Sequence, residues 1–215
     1  MLLFHSIRNN SLTLFIFALI STGAIALTHW LTQDKIESEK QAAVGRMIAQ
    51  VVTSKTLSSD VYHDCILVTD AEYLGTNSPM KIFRVREDSQ DLAAVITAIA
   101  PNGYSGTIEF VIGIGKTDNT ITGVRVIAHN ETPGLGDKIE STKSAWIHQF
   151  TGKSLDNPKL ESWAVKKDGG DFDALTGATI TPRALIDAVA KTQQYFQQHK
   201  ASIFSSPSNC EEKND

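Results

Sequence analysis

The chain has 215 residues, 41% of them hydrophobic and 20% charged, enough for one compact domain with appendages and too apolar for wholesale disorder. Its formal net charge of −4 argues against nucleic-acid binding, which calls for a basic stripe, and reads as a solvated, mildly acidic surface. Two cysteines, Cys65 and Cys210, with no CxxC, exclude zinc ribbons and cysteine-ligated iron–sulfur clusters.

From Leu12 to Leu31 the only titratable side chain is His29, and Trp30 stands where an interfacial aromatic would. At about 1.5 Å per residue this stretch matches the roughly 30 Å hydrocarbon thickness of a bilayer. Residues 1–11 form a short arm carrying Arg8, which points to a cytoplasmic N-terminus and an exported body. Ala24-Ile25-Ala26 also resembles a signal-peptidase site, so retained anchor and cleaved leader both stand. In an exported body the two cysteines are read evenly as one disulfide or as two thiols.

Asp34 to about Thr56 reads as a helix, with Ile36, Ala43, Met47, Ile48 and Val51 near one face. A strand follows at 65–69, then a turn at Gly75–Pro79. Four runs rich in Val, Ile and Phe come next, at 81–87, 92–100, 107–115 and 121–129. Their short connections predict hairpins, and so an antiparallel sheet in an α+β fold with flanking helices.

Beyond the sheet, "NETPGLG" breaks the pattern. A helix is expected from Lys138 to Gln149, with Asp137 and Glu140 as a capping pair. A strand at 162–166, a polar glycine-rich loop at 167–173 and a final helix from Pro182 to about His199 complete the body. Thr181 is the natural N-cap of that helix, with Pro182 at its first position. Residues 200–215 form a tail of disorder-prone composition.

Several apparent motifs fail. "TGKS" at 151–154 lacks the earlier glycine of a phosphate loop, and "GIGKTD" lacks the third glycine of a dinucleotide fingerprint. The six histidines show no HxxxH spacing, so no metal site is expected. Two glycine-rich stretches each open an expected helix, Glu131–Lys138 and Asp173–Pro182. Helix N-termini offer unpaired N–H groups and a positive dipole end, where phosphate is a natural guest. Capping by Thr181 leaves Thr176 and Thr179 unexplained, while Gly177 and Ala178 keep the backbone bare. On the residues alone three readings stand: a tight turn whose threonines bond the local backbone, a membrane-tethered binding or sensory module, and an exported hydrolase with Thr179 as nucleophile and His129 as base.

The pattern D-x-x-T-G-A-T, present as Asp173, Thr176, Gly177, Ala178 and Thr179, resembles the flavinylation motif of the FMN-binding domain family. "ETPGLG" at 131–136 is similar to that family's second signature. "GYSG" (103–106) and "WAVKKDGGDFDALTGATITPRA" (163–184) resemble the RnfG family, the G subunits of the Rnf complex, called Rsx in enteric-type bacteria. The similar C subunit of the sodium-pumping NADH:quinone reductase shares the shorter motif. The resemblance covers about residues 60 to 199. It implies FMN joined by a phosphodiester to Thr179 by a flavin transferase, with Asp173 as the motif acid. It further implies cofactor contacts from Thr176, Gly177, Ala178, Glu131, Thr132, Leu135 and Gly136, and leaves Lys166, Lys167 and Arg183 as candidates to face the phosphate.

By the same resemblance the chain is an electron-carrying subunit, not an independent small-molecule enzyme. Its partners would be the A, B, C, D and E subunits of an ion-translocating Rnf/Rsx complex in the bacterial inner membrane, with the body in the periplasm. A link to keeping the regulator SoxR reduced is also implied. The expected divisions are an arm (1–11), a span (12–31), a linker helix (32–59), the FMN-binding domain (60–199) and the tail (200–215).

Overall fold

A computed structural model describes residues 2–52, 64–87 and 90–210. The expected helix end at 53–56, the adjoining 57–63 and the tail residues 211–215 lie outside the described residues. The element order is α1 (Leu2–Val51), β1 (Cys65–Asp70), β2 (Thr76–Glu87), β3 (Gln90–Gly103), β4 (Gly106–Gly115), β5 (Ile121–Ala128) and α2 (Ile180–Ser205). Two compact units are present, Met1–Val44 and Gly45–Asp215.

In the first unit, Asn10–Gln33 has a mean hydropathy of 2.0 and is long and apolar enough to cross a membrane. Leu14, Phe17, Ile25 and Trp30 are exposed along it. The hydroxyls of Ser21, Thr28 and Thr32 donate to the carbonyls of Phe17, Ala24 and Thr28 at 2.9, 2.8 and 2.7 Å. These three hydroxyls are thereby satisfied within their own helix, as a lipid environment requires.

The second unit is built on five antiparallel strands in the order β1-β2-β3-β4-β5. Period-two alternation sends one set of side chains to each face. Ile66, Ile82, Ile96, Ile112 and Val124 stand opposite one another in register and form a buried row across all five strands. Each such side chain contributes about 1.5–3 kcal/mol by leaving water. Helix α2 packs on this face, mainly along β3. There Ala94, Ala98 and Ala100 are fully buried, and their small side chains admit the bulk of Leu185, Val189 and Phe196. On the other face the end of α1 is fixed where Thr122 donates to the Val51 carbonyl and Arg125 reaches Gln50 at 3.2 Å.

The C-terminal end of α2 is held by Arg84, which is 3% exposed. It donates to the carbonyls of Ile203 and Ser206 and pairs with Asp64. Beyond it, Cys210 is disulfide-bonded to Cys65 with a Cα–Cα distance of 5.6 Å, so the disulfide reading holds. Asn209 lies along β1, accepting the Leu67 N–H at 2.7 Å.

Four expectations are corrected. The Gly75–Pro79 segment is a turn only at its start, because β2 begins at Thr76. Pro79 falls where the β1–β2 register shifts between Val68 and Asp70, so its missing N–H costs no ladder bond. The helix expected at 138–149 is two 3-10 turns, Gly136–Ile139 and Trp146–Phe150. Ser144 separates them, donating to the Lys138 carbonyl at 2.6 Å and accepting the Trp146 N–H at 3.1 Å. No strand forms at 162–166. Val165 makes one isolated bridge, to Phe172, between 3-10 turns at Leu160–Ser162 and Lys166–Asp168. The last helix starts two residues earlier and ends later than expected, at Ile180 and Ser205.

Candidate functional site

Between β5 and α2 the chain makes only short turns. It is held by an aromatic cluster in which Phe150 lies 5.6, 6.3 and 5.1 Å from the rings of Trp146, Trp163 and Phe172. This cluster brings two distant loops to the start of α2. A cleft of about 270 Å³ opens there, lined by Tyr104, Glu131, Thr132, Leu135, Gly136, Gly177, Ala178, Thr179, Ile180 and Thr181.

One wall is the turn Leu175–Ala178, closed by the Ala178 N–H on the Leu175 carbonyl at 3.1 Å. Gly177 has φ +82°, the left-handed value its position in a type II turn demands. A Cβ there would meet Leu135 Cδ2 at 2.8 Å, so glycine also lets the turn approach the opposite loop. Thr179 follows as the residue before α2. It is exposed, and its side chain makes no capping bond. Its hydroxyl thus stands beside the unpaired N–H groups of a 26-residue helix.

Thr181, expected as the cap, lies inside the helix and is fully buried. Its hydroxyl donates to Glu131 instead. Helix α2 therefore begins without a side-chain cap: Thr181 lies past the cap position and is committed to Glu131, and Thr179, which holds that position, makes no capping bond.

The second wall is the Glu131–Gly136 loop. The Thr132 carbonyl accepts the N–H groups of Leu135 and Asp137 at 3.1 and 3.4 Å, curling the loop over Gly136. A Cβ on Gly136 would lie 2.7 Å from Glu131 Oε2. Beneath the loop runs a polar chain. The Glu131 N–H donates to His129 Nδ1 at 2.9 Å, and His129 Nε2 reaches Glu140 Oε1 at 2.9 Å. Lys143 joins Glu140 and Asp137 at 2.7 and 3.1 Å. Hydrogen bonds from Lys143 and then His129 hold the Glu140 carboxyl below its ordinary range, and the two acids push the Lys143 ammonium up. The Gly134 N–H, with Lys143, holds Asp137 down as well. With its Nδ1 already an acceptor and Glu140 engaged, His129 is placed as a loop support and not as a base beside Thr179. The third wall is the hairpin tip between β3 and β4, where Tyr104 is 67% exposed.

The structure thus brings Thr179, Gly177, Ala178, Glu131, Thr132, Leu135 and Gly136 to one cleft. Thr176 is not among the lining residues. Asp173 lies apart, its side chain exposed and paired with Lys166 at 2.6 Å, which pushes the lysine up. Arg183 is taken by Asp168 through two bonds of 2.6 and 2.8 Å, which lower the acid and raise the base. Tyr104, Ile180 and Thr181 also line the cleft, although the sequence motifs do not mark them as cofactor contacts. The signal for Tyr104 is an aromatic at a hairpin tip within "GYSG".

A five-stranded antiparallel sheet with one long helix, whose uncapped start faces the Glu131–Gly136 loop across a small cleft, is here the frame of a domain of the FMN-binding class. Residues 103–194 match the family model described as the FMN-binding domain, and residues 1–51 match that of the RnfG N-terminal region. The chain is 48% identical over 204 residues to the G subunit of the ion-translocating oxidoreductase complex of Pseudoalteromonas atlantica, covering 95% of this chain and 94% of that protein. It is 44% identical over 206 residues to the corresponding G subunit of Vibrio atlanticus, covering 96% and 98%. A solved structure of NqrC from Shewanella oneidensis aligns at 25% identity with a TM-score of 0.48, covering 68% of this chain and 78% of that one. The chain belongs to the family of G subunits of ion-translocating oxidoreductase complexes.

Proposed function

We propose that this chain carries electrons within an ion-translocating membrane complex through FMN joined by a phosphodiester to Thr179. The observation that carries the reading is the free Thr179 hydroxyl at the start of α2, on the rim of a cleft walled by both signature segments.

The residues present fit such a group. Gly136 and Gly177 leave bare backbone where a Cβ would intrude, and Tyr104, Leu135 and Ile180 give exposed apolar surface for a flat ring. A phosphoryl group on Thr179 would lie at the uncapped end of α2, where the dipole and the first N–H groups favour negative charge. Thr132 and Ala178 line the same space, and Thr176 sits in the turn that precedes it. When bound, the flavin supplies the electron-accepting and electron-donating chemistry, and the protein positions it. Lys166 and Arg183 are engaged by Asp173 and Asp168, so charge balance for the phosphate falls first to the helix end.

The FMN-binding domain is assigned to 60–199, the linker to 32–59, the span to 12–31, the arm to 1–11 and the C-terminal segment, which includes the end of α2, to 200–215. The span is placed in the inner membrane with the arm in the cytoplasm and the body in the periplasm, where a covalent tether prevents cofactor loss. The A, B, C, D and E subunits of the complex are its partners, a flavin transferase that reads Asp173 matures it, and the complex serves to keep SoxR reduced.

The test is co-expression of the full chain with the transferase, followed by a denaturing gel viewed under ultraviolet light. A fluorescent band that persists in SDS and vanishes in Thr179→Ala supports the reading. A dark wild-type band overturns it.

A further inference from the structure

Glu131 is 5% exposed, and both of its carboxylate oxygens are committed within the protein. Oε1 accepts the Ser105 N–H at 3.0 Å, from the hairpin tip that carries Tyr104. Oε2 accepts the hydroxyl of Thr181, which is fully buried in the first turn of α2. The residue's own N–H is fixed on His129 Nδ1 at 2.9 Å. Gly103 and Gly136 flank the carboxylate so closely that a Cβ on either would lie 2.9 or 2.7 Å from its oxygens. One side chain thus ties the Glu131–Gly136 loop to the hairpin tip and to the first turn of α2, which it grips two residues beyond Thr179.

We propose that Glu131 is the positioning residue for attachment at Thr179, acting through Thr181 to fix the first turn of α2. The inference rests on the tether proposed above. Phosphodiester formation needs an activated donor, here a flavin dinucleotide. The Thr179 Oγ–P bond forms, the pyrophosphate P–O bond breaks, the nucleoside monophosphate leaves with the electron pair, and the hydroxyl proton passes to solvent. No electrons change hands. The Thr179 oxygen must be held in line for this, and misplacement of about 1 Å costs on the order of 100-fold. Thr179 makes no capping bond of its own, so its position is inherited from the turn that Thr181 anchors.

The experiment follows attachment to the detergent-solubilised full chain by the transferase, with flavin adenine dinucleotide as donor, by in-gel fluorescence and intact mass. Glu131→Ala, Thr181→Val and Thr181→Ser are compared with wild type. Removing either partner is expected to lower kcat by about 10- to 100-fold with KM for the chain little changed. Thr181→Ser, which keeps the hydroxyl, restores most of the rate, and the double variant Glu131→Ala/Thr181→Val is no slower than the slower single. If Glu131→Ala does not fold, the Thr181→Val and Thr181→Ser pair decides alone. Attachment to Thr181→Val at the wild-type kcat, or Thr181→Ser as slow as Thr181→Val, overturns the inference. A wild-type chain that takes up no flavin overturns the underlying tether instead, so the two failures are told apart.

Discussion

The indole N–H of Trp146 donates to the backbone carbonyl of Asp173 at 2.6 Å. Gln149, one turn on, accepts the Asp173 N–H at 2.7 Å. The backbone of the motif acid is therefore clamped on both sides while its carboxylate stays exposed. Trp146→Phe keeps an aromatic ring and removes the donor. The expected loss is about 1–2 kcal/mol of stability. That corresponds to a fall in Tm of about 2–8 °C for a domain of this size, read by thermal melting. Attachment of flavin should slow as well, since Asp173 no longer sits at a fixed place. An unchanged melting temperature would show that the clamp contributes nothing.

The Glu140 carboxyl lies below its ordinary range because Lys143 and then His129 donate to it. A carboxyl depressed in the folded state contributes stability that is fully present above its unfolded value and lost as pH falls through its folded value. Wild type should therefore exceed Glu140→Gln in stability at neutral pH. The gap should close as pH falls below about 4.5. Urea melts of both chains from pH 7 to pH 3 test this. A gap that persists at pH 3 would assign the effect of the substitution to packing.

The Cys65–Cys210 disulfide spans 145 residues and holds the segment that follows α2 against β1. Replacing both cysteines by serine should cost about 2–5 kcal/mol in denaturant unfolding. Hydrogen exchange at Leu67 should rise with it, because Asn209 no longer stays seated on the Leu67 N–H. Labelling of free thiols in the unreduced, denatured wild type would contradict the linkage.

Gly177→Val places a branched side chain at φ +82° and against Leu135. Stability should fall by more than about 1 kcal/mol from the backbone alone. Flavin attachment should fall much further, because the new atoms occupy the cleft. A variant that attaches flavin at the wild-type rate would place the ring elsewhere.

Much of this architecture is written locally. Alternation of Val, Ile and Phe marks the sheet strands, because one face must be buried along its whole length. The two glycine-rich stretches mark the cleft walls, because both need backbone without side chains. The rest depends on contacts that no local pattern carries. Asp137 and Glu140 mimic a capping pair, yet both turn to Lys143, and Ser144 diverts two backbone groups from a helix. Trp163 and Val165 alternate like a strand, but they serve the aromatic cluster, and only Val165 finds a single bridge. Thr181 followed by Pro182 mimics a helix start, while the hydroxyl is taken by a carboxylate 50 residues earlier.

The most direct measurement is peptide mapping of the full-length chain purified from membranes. The tryptic peptide spanning 168–183 contains Thr176, Thr179 and Thr181. It should carry the mass of FMN less one water, with fragmentation placing that mass on residue 179. The same peptide recovered unmodified from protein matured alongside its transferase, or carrying the mass on another threonine, would contradict the account.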